Sequence, residues 1–299
     1  MVEPTTQPEY AADLPEGYKE TELGPLPEDW GISRLGEVVA LSRKPRGLRF
    51  EDYDEVPFIP MELVPSDGKM RTRYATKPGA TISSGVYCEP GDILLAKITP
   101  SLENGKQGMV PQSLPEDFAV ATTEVYPLKP TPDLVDPGFL FMYLLDSSVR
   151  RELAGKMEGS TGRQRLPKHV INDLSLPLPP IPDQQSIAHV LRTVQRAREA
   201  TERVVASTKE LKRSLMDHLF TYGPVPVEEA ERVPLKETEV GPVPEHWDIV
   251  KLGDVCRRFQ YGTSQRCDAD TNGDPVLRIP NVLGGRVNVQ DLKYTNLPG

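Results

Sequence analysis

The chain has 299 residues, 37% hydrophobic and 26% charged, which is enough length for two domains with separate cores. Its net charge of −9 is uneven: residues 1 to 30 carry one Lys against eight Asp or Glu, residues 31 to 180 balance 18 basic against 19 acidic groups, and residues 183 to 222 come to +2. Those numbers exclude a uniformly basic surface but permit local cationic loops to contact phosphates, and imply that tight binding of a polyanion needs help from partner subunits.

The first 17 residues form an acidic tail. At 18 to 39 the sequence reads YKETELGPLPEDWGISRLGEVV, and at 235 to 256 it reads LKETEVGPVPEHWDIVKLGDVC, with thirteen of 22 positions identical. Similarity continues downstream, where FIPMEL at 58 to 63 matches RIPNVL at 278 to 283 and Tyr74 matches Tyr294. Two copies of one domain therefore begin 217 residues apart, and the chain is expected to end inside the second, as a fragment or truncated product. In each copy Gly-Pro-x-Pro predicts a turn, the tryptophan (Trp30 or Trp247) a core anchor, and LGEVV or LGDVC a short helix.

Between residues 50 and 130 the short apolar runs VPFIP, GDILLAKI and AVATTEVYPL are separated by Gly and Pro and predict strands. GFLFMYLLDSSVRRELA at 138 to 154 predicts a helix, so the domain at 18 to 182 is expected to be α+β. After the stiff segment LPLPPIPD, Asp183 is a candidate N-cap for a long helix over 183 to 222, which contains neither Pro nor Gly after residue 183 until Gly223. Its seam, Ile187, Val190, Val194, Val204, Leu211 and Leu215, follows a heptad spacing and predicts a coiled-coil partner. Residues 223 to 234 are a linker, and 235 to 299 the incomplete second domain.

Four polar segments combine Arg, Lys, Asn and Gln, the side chains that pair with phosphates and base edges. They are SRKPRGLR with Arg43, Lys44, Arg46 and Arg49; KMRTR with Lys69, Arg71 and Arg73; LENGKQG with Asn104, Lys106 and Gln107; and GSTGRQR with Arg163, Gln164 and Arg165. The last is the preferred DNA contact, since Gly159 and Gly162 let backbone approach a phosphate. Its alternative role is to pack the domain onto the helix. No catalytic residues are assigned: phosphate-loop, dinucleotide and Asn-Pro-Pro-aromatic motifs are missing, and Asp291-Leu292-Lys293, the one acid-x-Lys element, aligns with Arg71-Thr72-Arg73. No metal site is expected from three cysteines without CxxC pairing and four widely spaced histidines. A polar start and the lack of any 18-residue apolar run predict a cytoplasmic protein with no membrane association.

The duplicated GPLPEDWGISRLGEVV and GPVPEHWDIVKLGDVC, with GDILLAKI at 91 to 98 and GSTGRQRLPKHVINDLSLPLPPIPDQQSIAHVL at 159 to 191, resemble the specificity subunits of type I restriction-modification systems. The departure is Asp183-Gln184, where the family more often shows Glu-Gln. The resemblance implies a non-catalytic subunit with two target-recognition domains, each reading half of a split double-stranded DNA site, held apart by two antiparallel helices. It also implies methyltransferase subunits as partners, restriction subunits joining them, and no cofactor on this chain, with S-adenosylmethionine, ATP and magnesium on those partners. Two rival readings stand beside it: a truncated protein-docking scaffold with no complete DNA target, and a DNA-cleaving enzyme.

Overall fold

A computed structural model describes residues 14–66, 68–160, 162–257, 262–269 and 272–296; most of the acidic tail and Thr161 of GSTGRQR lie outside them. The chain divides into two compact units, Met1–Lys209 and Glu210–Gly299.

The first unit is α+β. It opens with a hairpin, β1 (Tyr18–Lys19) and β2 (Leu26–Pro27), followed by β3 (Gly31–Arg34), helix α1 (Leu35–Val38) and β4 (Val39–Leu41). Then come β5 (Val56–Ile59), β6 (Ala75–Lys77), β7 (Val86–Cys88), β8 (Ile93–Ala96), β9 (Gln107–Met109), β10 (Ala119–Ala121) and β11 (Val125–Pro130). These build two four-stranded sheets, ordered β6-β5-β10-β7 and β4-β11-β8-β9, with one parallel pair, β5 with β10.

GDILLAKI reads as one apolar run because both faces of β8 are covered. Ile93 and Leu95 pack toward the helices with Leu128, Phe139, Leu140, Phe141 and Leu153. Leu94, between them, turns with Val125 to the other sheet and meets Ile59, Cys88, Ala119 and Ala121.

The single helix expected over 138 to 154 is two, α2 (Pro137–Tyr143) and α3 (Ser147–Gly155). Each has an aspartate N-cap: the Asp136 carboxylate accepts from Phe139 N at 2.8 Å, and that of Asp146 from Ser148 N at 2.8 Å. Asp-Ser-Ser inside an apolar pattern is thus a cap that restarts the helix. A hairpin of β12 (Glu158–Ser160) and β13 (Arg163–Arg165), a short helix α4 (Lys168–Asn172), and β14 (Ser175–Leu178) follow. β14 returns to pair antiparallel with β3, closing the domain across some 140 residues of sequence.

The long helix α5 runs from Ile181 to Tyr222, 42 residues, or roughly 63 Å at 1.5 Å each. It begins before Asp183: the Pro180 carbonyl accepts Asp183 N at 2.9 Å and Gln184 N at 3.1 Å, so Asp183 lies in the first turn and is not the N-cap. Pro182 fits there because first-turn N–H groups have no intrahelical acceptor to lose.

In the second unit β15 (Leu235–Lys236) pairs with β16 (Val243–Pro244) as Leu235 to Pro244 and Lys236 to Val243. That is the register of β1 and β2, Tyr18 to Pro27 and Lys19 to Leu26, moved by 217 positions. Helix α6 (Leu252–Val255), β17 (Asp274–Val276), β18 (Val282–Leu283), β19 (Arg286–Val287) and β20 (Lys293–Thr295) complete the unit. Neither tryptophan is a core anchor: Trp30 and Trp247 are half-buried beside their turns, and in the first copy Leu35 and Val38 enter the core instead. The indole is too wide for the two-strand turn to cover.

Candidate nucleic-acid interface

GSTGRQR forms the β12–β13 hairpin, in register Glu158 to Arg165, Gly159 to Gln164 and Ser160 to Arg163. Gly162 has φ +81, and a Cβ at Gly159 would meet the Arg163 carbonyl at 2.6 Å, so both glycines are needed to build the hairpin itself. The hairpin is pinned to the chain leaving β8: Thr99 N donates to Gln164 O at 3.0 Å and Leu166 N to Lys97 O at 2.8 Å, while Ile98 bridges to Arg165. Arg163 and Arg165 are exposed, and Gln164 is half-buried.

Pinning brings in a cation that sequence reading missed. Lys97 lies half-buried with its ammonium 4.5 Å from the centre of the Tyr126 ring, and the Tyr126 hydroxyl donates to Leu166 O at 2.8 Å. Its proton affinity is lowered by burial first and by nearby Arg165 second. The available signal was the lysine ending the apolar run of GDILLAKI.

KMRTR and LENGKQG, far apart in sequence, meet in one groove of about 470 Å³ lined by Lys69, Arg71, Arg73 and Lys106, with Glu62 among the other lining residues. Thr72 secures the segment by donating from its N (3.1 Å) and its Oγ1 (3.0 Å) to Met109 O. Arg71 and Arg73 are exposed. Lys106 is engaged within the protein: its Nζ donates to Met61 O at 2.7 Å and Val64 O at 3.2 Å. Asn104 is exposed in the same loop.

Gln107 is fully buried and faces no solvent; its Nε2 donates to Phe141 O at 2.7 Å and its Oε1 accepts from Arg150. The buried Arg150 also donates to Leu144 O at 2.5 Å and Leu102 O at 3.2 Å, and burial lowers its pKa to about 10. The carbonyl of Leu144 is one that the break between α2 and α3 releases, so this network fixes the Asn104 loop to the restarted helix.

Arg43, Lys44 and Arg46 are exposed on the loop after β4 and do not join either cluster. Lys44 lies 4.9 Å from the Phe50 ring centre, and Arg49 pairs with Glu51 at 3.7 Å. Arg43 lines a recess with Lys129, Glu89 and Lys168. In the chain between β17 and β20, Asp291 accepts from Arg278 at 3.2 Å, a surface ion pair. Among the described residues no group of three or more His, Cys, Asp or Glu is placed to hold a metal, and no helix is long and apolar enough to cross a membrane.

Along α5, Ile187 packs against the domain core, whereas Val190, Val194, Val204, Leu211 and Leu215 are exposed. Exposure along that row runs from 46% at Leu215 to 66% at Val204. An apolar stripe of this length left in water is unusual for a surface helix.

Comparison with known proteins agrees with the resemblance seen in the sequence. The chain is 27% identical over 175 residues to the type I restriction enzyme EcoAI specificity subunit of Escherichia coli, covering 58% of this chain and 29% of that protein. It is 25% identical over 285 residues to the MjaVIII specificity subunit of Methanocaldococcus jannaschii, covering 91% and 60%. The crystal structure of the HsdS subunit from Thermoanaerobacter tengcongensis has the same fold over 84% of this chain and 61% of that one, with a TM-score of 0.52 at 20% identity. The chain thus spans less than two thirds of the length of these relatives. The sequence model for the type I restriction modification DNA specificity domain matches residues 27–209, more than half of the chain, and the chain belongs to that family.

Proposed function

We propose that the first unit reads one half of a bipartite double-stranded DNA target for a type I restriction-modification assembly, with the β12–β13 hairpin as its principal contact. The carrying observation is that hairpin: two exposed arginines and Gln164 on a glycine turn, pinned beside Lys97, inside the stretch that matches the DNA specificity domain. Arginine can take guanine bidentately and glutamine adenine, while lysine holds a phosphate without reading sequence. The Arg71 and Arg73 groove supplies further phosphate contacts.

In the same reading the chain is non-catalytic and cytoplasmic. Methyltransferase subunits dock on it and restriction subunits join them, so S-adenosylmethionine, ATP and magnesium belong to those partners. The exposed row Val190, Val194, Val204, Leu211 and Leu215 supports pairing of α5 with a second long helix.

The test is binding of matched and mismatched duplexes by the complete methyltransferase-bound assembly across a salt series. Changing Arg163 and Arg165 to Ala should remove about 1–3 kcal/mol of discrimination per base-reading contact. Lys97→Met should weaken all sequences alike and reduce the slope of log affinity against log salt by about 1. Undiminished binding and discrimination in the arginine variant, with the domain folded, would return the hairpin to a packing role.

A further inference from the structure

Residues 183 to 195 of α5 seat the helix on the recognition domain through one face, Gln184, Ala188, Arg192 and Gln195. Gln184 is completely buried, and three backbone groups engage both its amide hydrogens and its oxygen. Its Oε1 accepts from Asp136 N at 2.8 Å; its Nε2 donates to Leu134 O at 3.0 Å and Pro179 O at 2.8 Å. One turn on, Ala188 is also fully buried and faces Gly138, where a Cβ would come within 3.3 Å of the Ala188 Cβ and 3.4 Å of the Arg192 guanidinium carbon. From Ala200 to Ser207 every residue is exposed.

The rod is therefore set by its root. A tilt of about 5° there moves a point about 50 Å along the helix by about 4 Å, more than the roughly 3.4 Å rise of one base pair. Separating spacers that differ by one base pair requires the joint to hold within a few degrees. A buried amide bonded in three directions does this, because any rotation leaves a polar group unsatisfied in a site closed to solvent.

We propose that Gln184 is a positioning residue for spacer discrimination: it fixes the angle at which the long helix leaves the recognition domain, and that angle decides which half-site separations are accepted while the base contacts are left alone. This rests on reading the chain as a half-site reader, and the test separates the two.

The first measurement uses the chain with Cys256→Ser and Cys267→Ser, carrying nitroxide labels at Ser113→Cys and Ser207→Cys, both exposed positions of the first unit. Pulsed electron spin resonance should give one narrow distance. Gln184→Met, of similar length and without hydrogen bonds, should at least double the width of the distribution while circular dichroism stays unchanged. If that variant fails to fold, Gly138→Ala, which crowds Ala188, should shift the mean distance instead.

The second measurement places the Gln184→Met subunit in the complete assembly and follows methylation of duplexes with the half-sites at the preferred spacing and one or two base pairs either side. Methylation should become nearly uniform over those spacings, with half-site identity unchanged. A distance distribution as narrow as the parent's, or a broadened one with spacer preference intact, overturns the proposal. A parent assembly indifferent to half-site sequence would overturn the reading of the hairpin, and the distance measurement would still decide the joint.

Discussion

The two copies of the opening motif share thirteen of 22 residues and the same hairpin and short helix, yet have opposite surroundings. Both form a hairpin of two-residue strands in one register, both close its connection through a threonine hydroxyl donating to a glycine carbonyl (Thr21 to Gly24, Thr238 to Gly241), and both continue into a four-residue helix. In the first, Leu35 and Val38 are 2% and 4% exposed; in the second, Leu252 and Val255 are 65% and 62% exposed. GISR in the first is a strand because β14 pairs with it, and Leu35 N donates to Leu174 O at 2.8 Å. DIVK in the second is in no strand, and the described residues of that unit hold no counterpart of β14. Turn, hairpin and short helix are thus local properties of the motif, whereas its burial depends on chain that returns some 140 residues later.

That comparison breaks most sharply under matched truncations. Leu35→Ala should cost about 2–5 kcal/mol, the range for emptying a closed core, and Leu252→Ala less than about 0.5 kcal/mol. Urea unfolding followed by Trp30 fluorescence, with Trp247→Phe as background, reads the first, and the mirror background reads the second. Equal costs would mean that the second motif is buried by something other than a β14-like return.

A smaller effect sharpens the first unit alone. Asp92, buried in the turn before β8 with Glu89 N donating to it at 2.8 Å, has its pKa raised from 3.8 to about 6, chiefly by burial. Between about pH 4 and 6 the folded chain keeps a proton that the unfolded chain has released, so stability should fall as pH rises through that window, by about 1–3 kcal/mol. Asp92→Asn retains the acceptor and should flatten the dependence; an unchanged pH profile of the melting temperature would show that Asp92 is not its source.

What was legible in the sequence follows the same division. The strands in GDILLAKI and AVATTEVYPL, the α+β class and the long helix could be read because periodicity and Gly or Pro punctuation are local. The two-helix break at Asp146 had a local signal too, a cap sequence inside an apolar pattern. The meeting of Lys97 with Arg165, the groove shared by Arg71 and Lys106, and the engagement of Lys106 by the Met61 and Val64 carbonyls depend on contacts across 35 to 70 residues, which no window of sequence displays. Gln107 is the clearest case. It sat among polar neighbours in a candidate DNA loop and is a buried partner of Arg150, a pairing that only the fold reveals.

The most direct test of the central reading, that this domain reads one half-site, is to exchange residues 18–182 in the complete subunit for the recognition domain of another family member. Methylation sites mapped across a genome treated with the resulting assembly should then show one half-site replaced, with the other half-site and the spacer length retained. An unchanged target, or a change in both halves together, would contradict the assignment of half-site recognition to this domain.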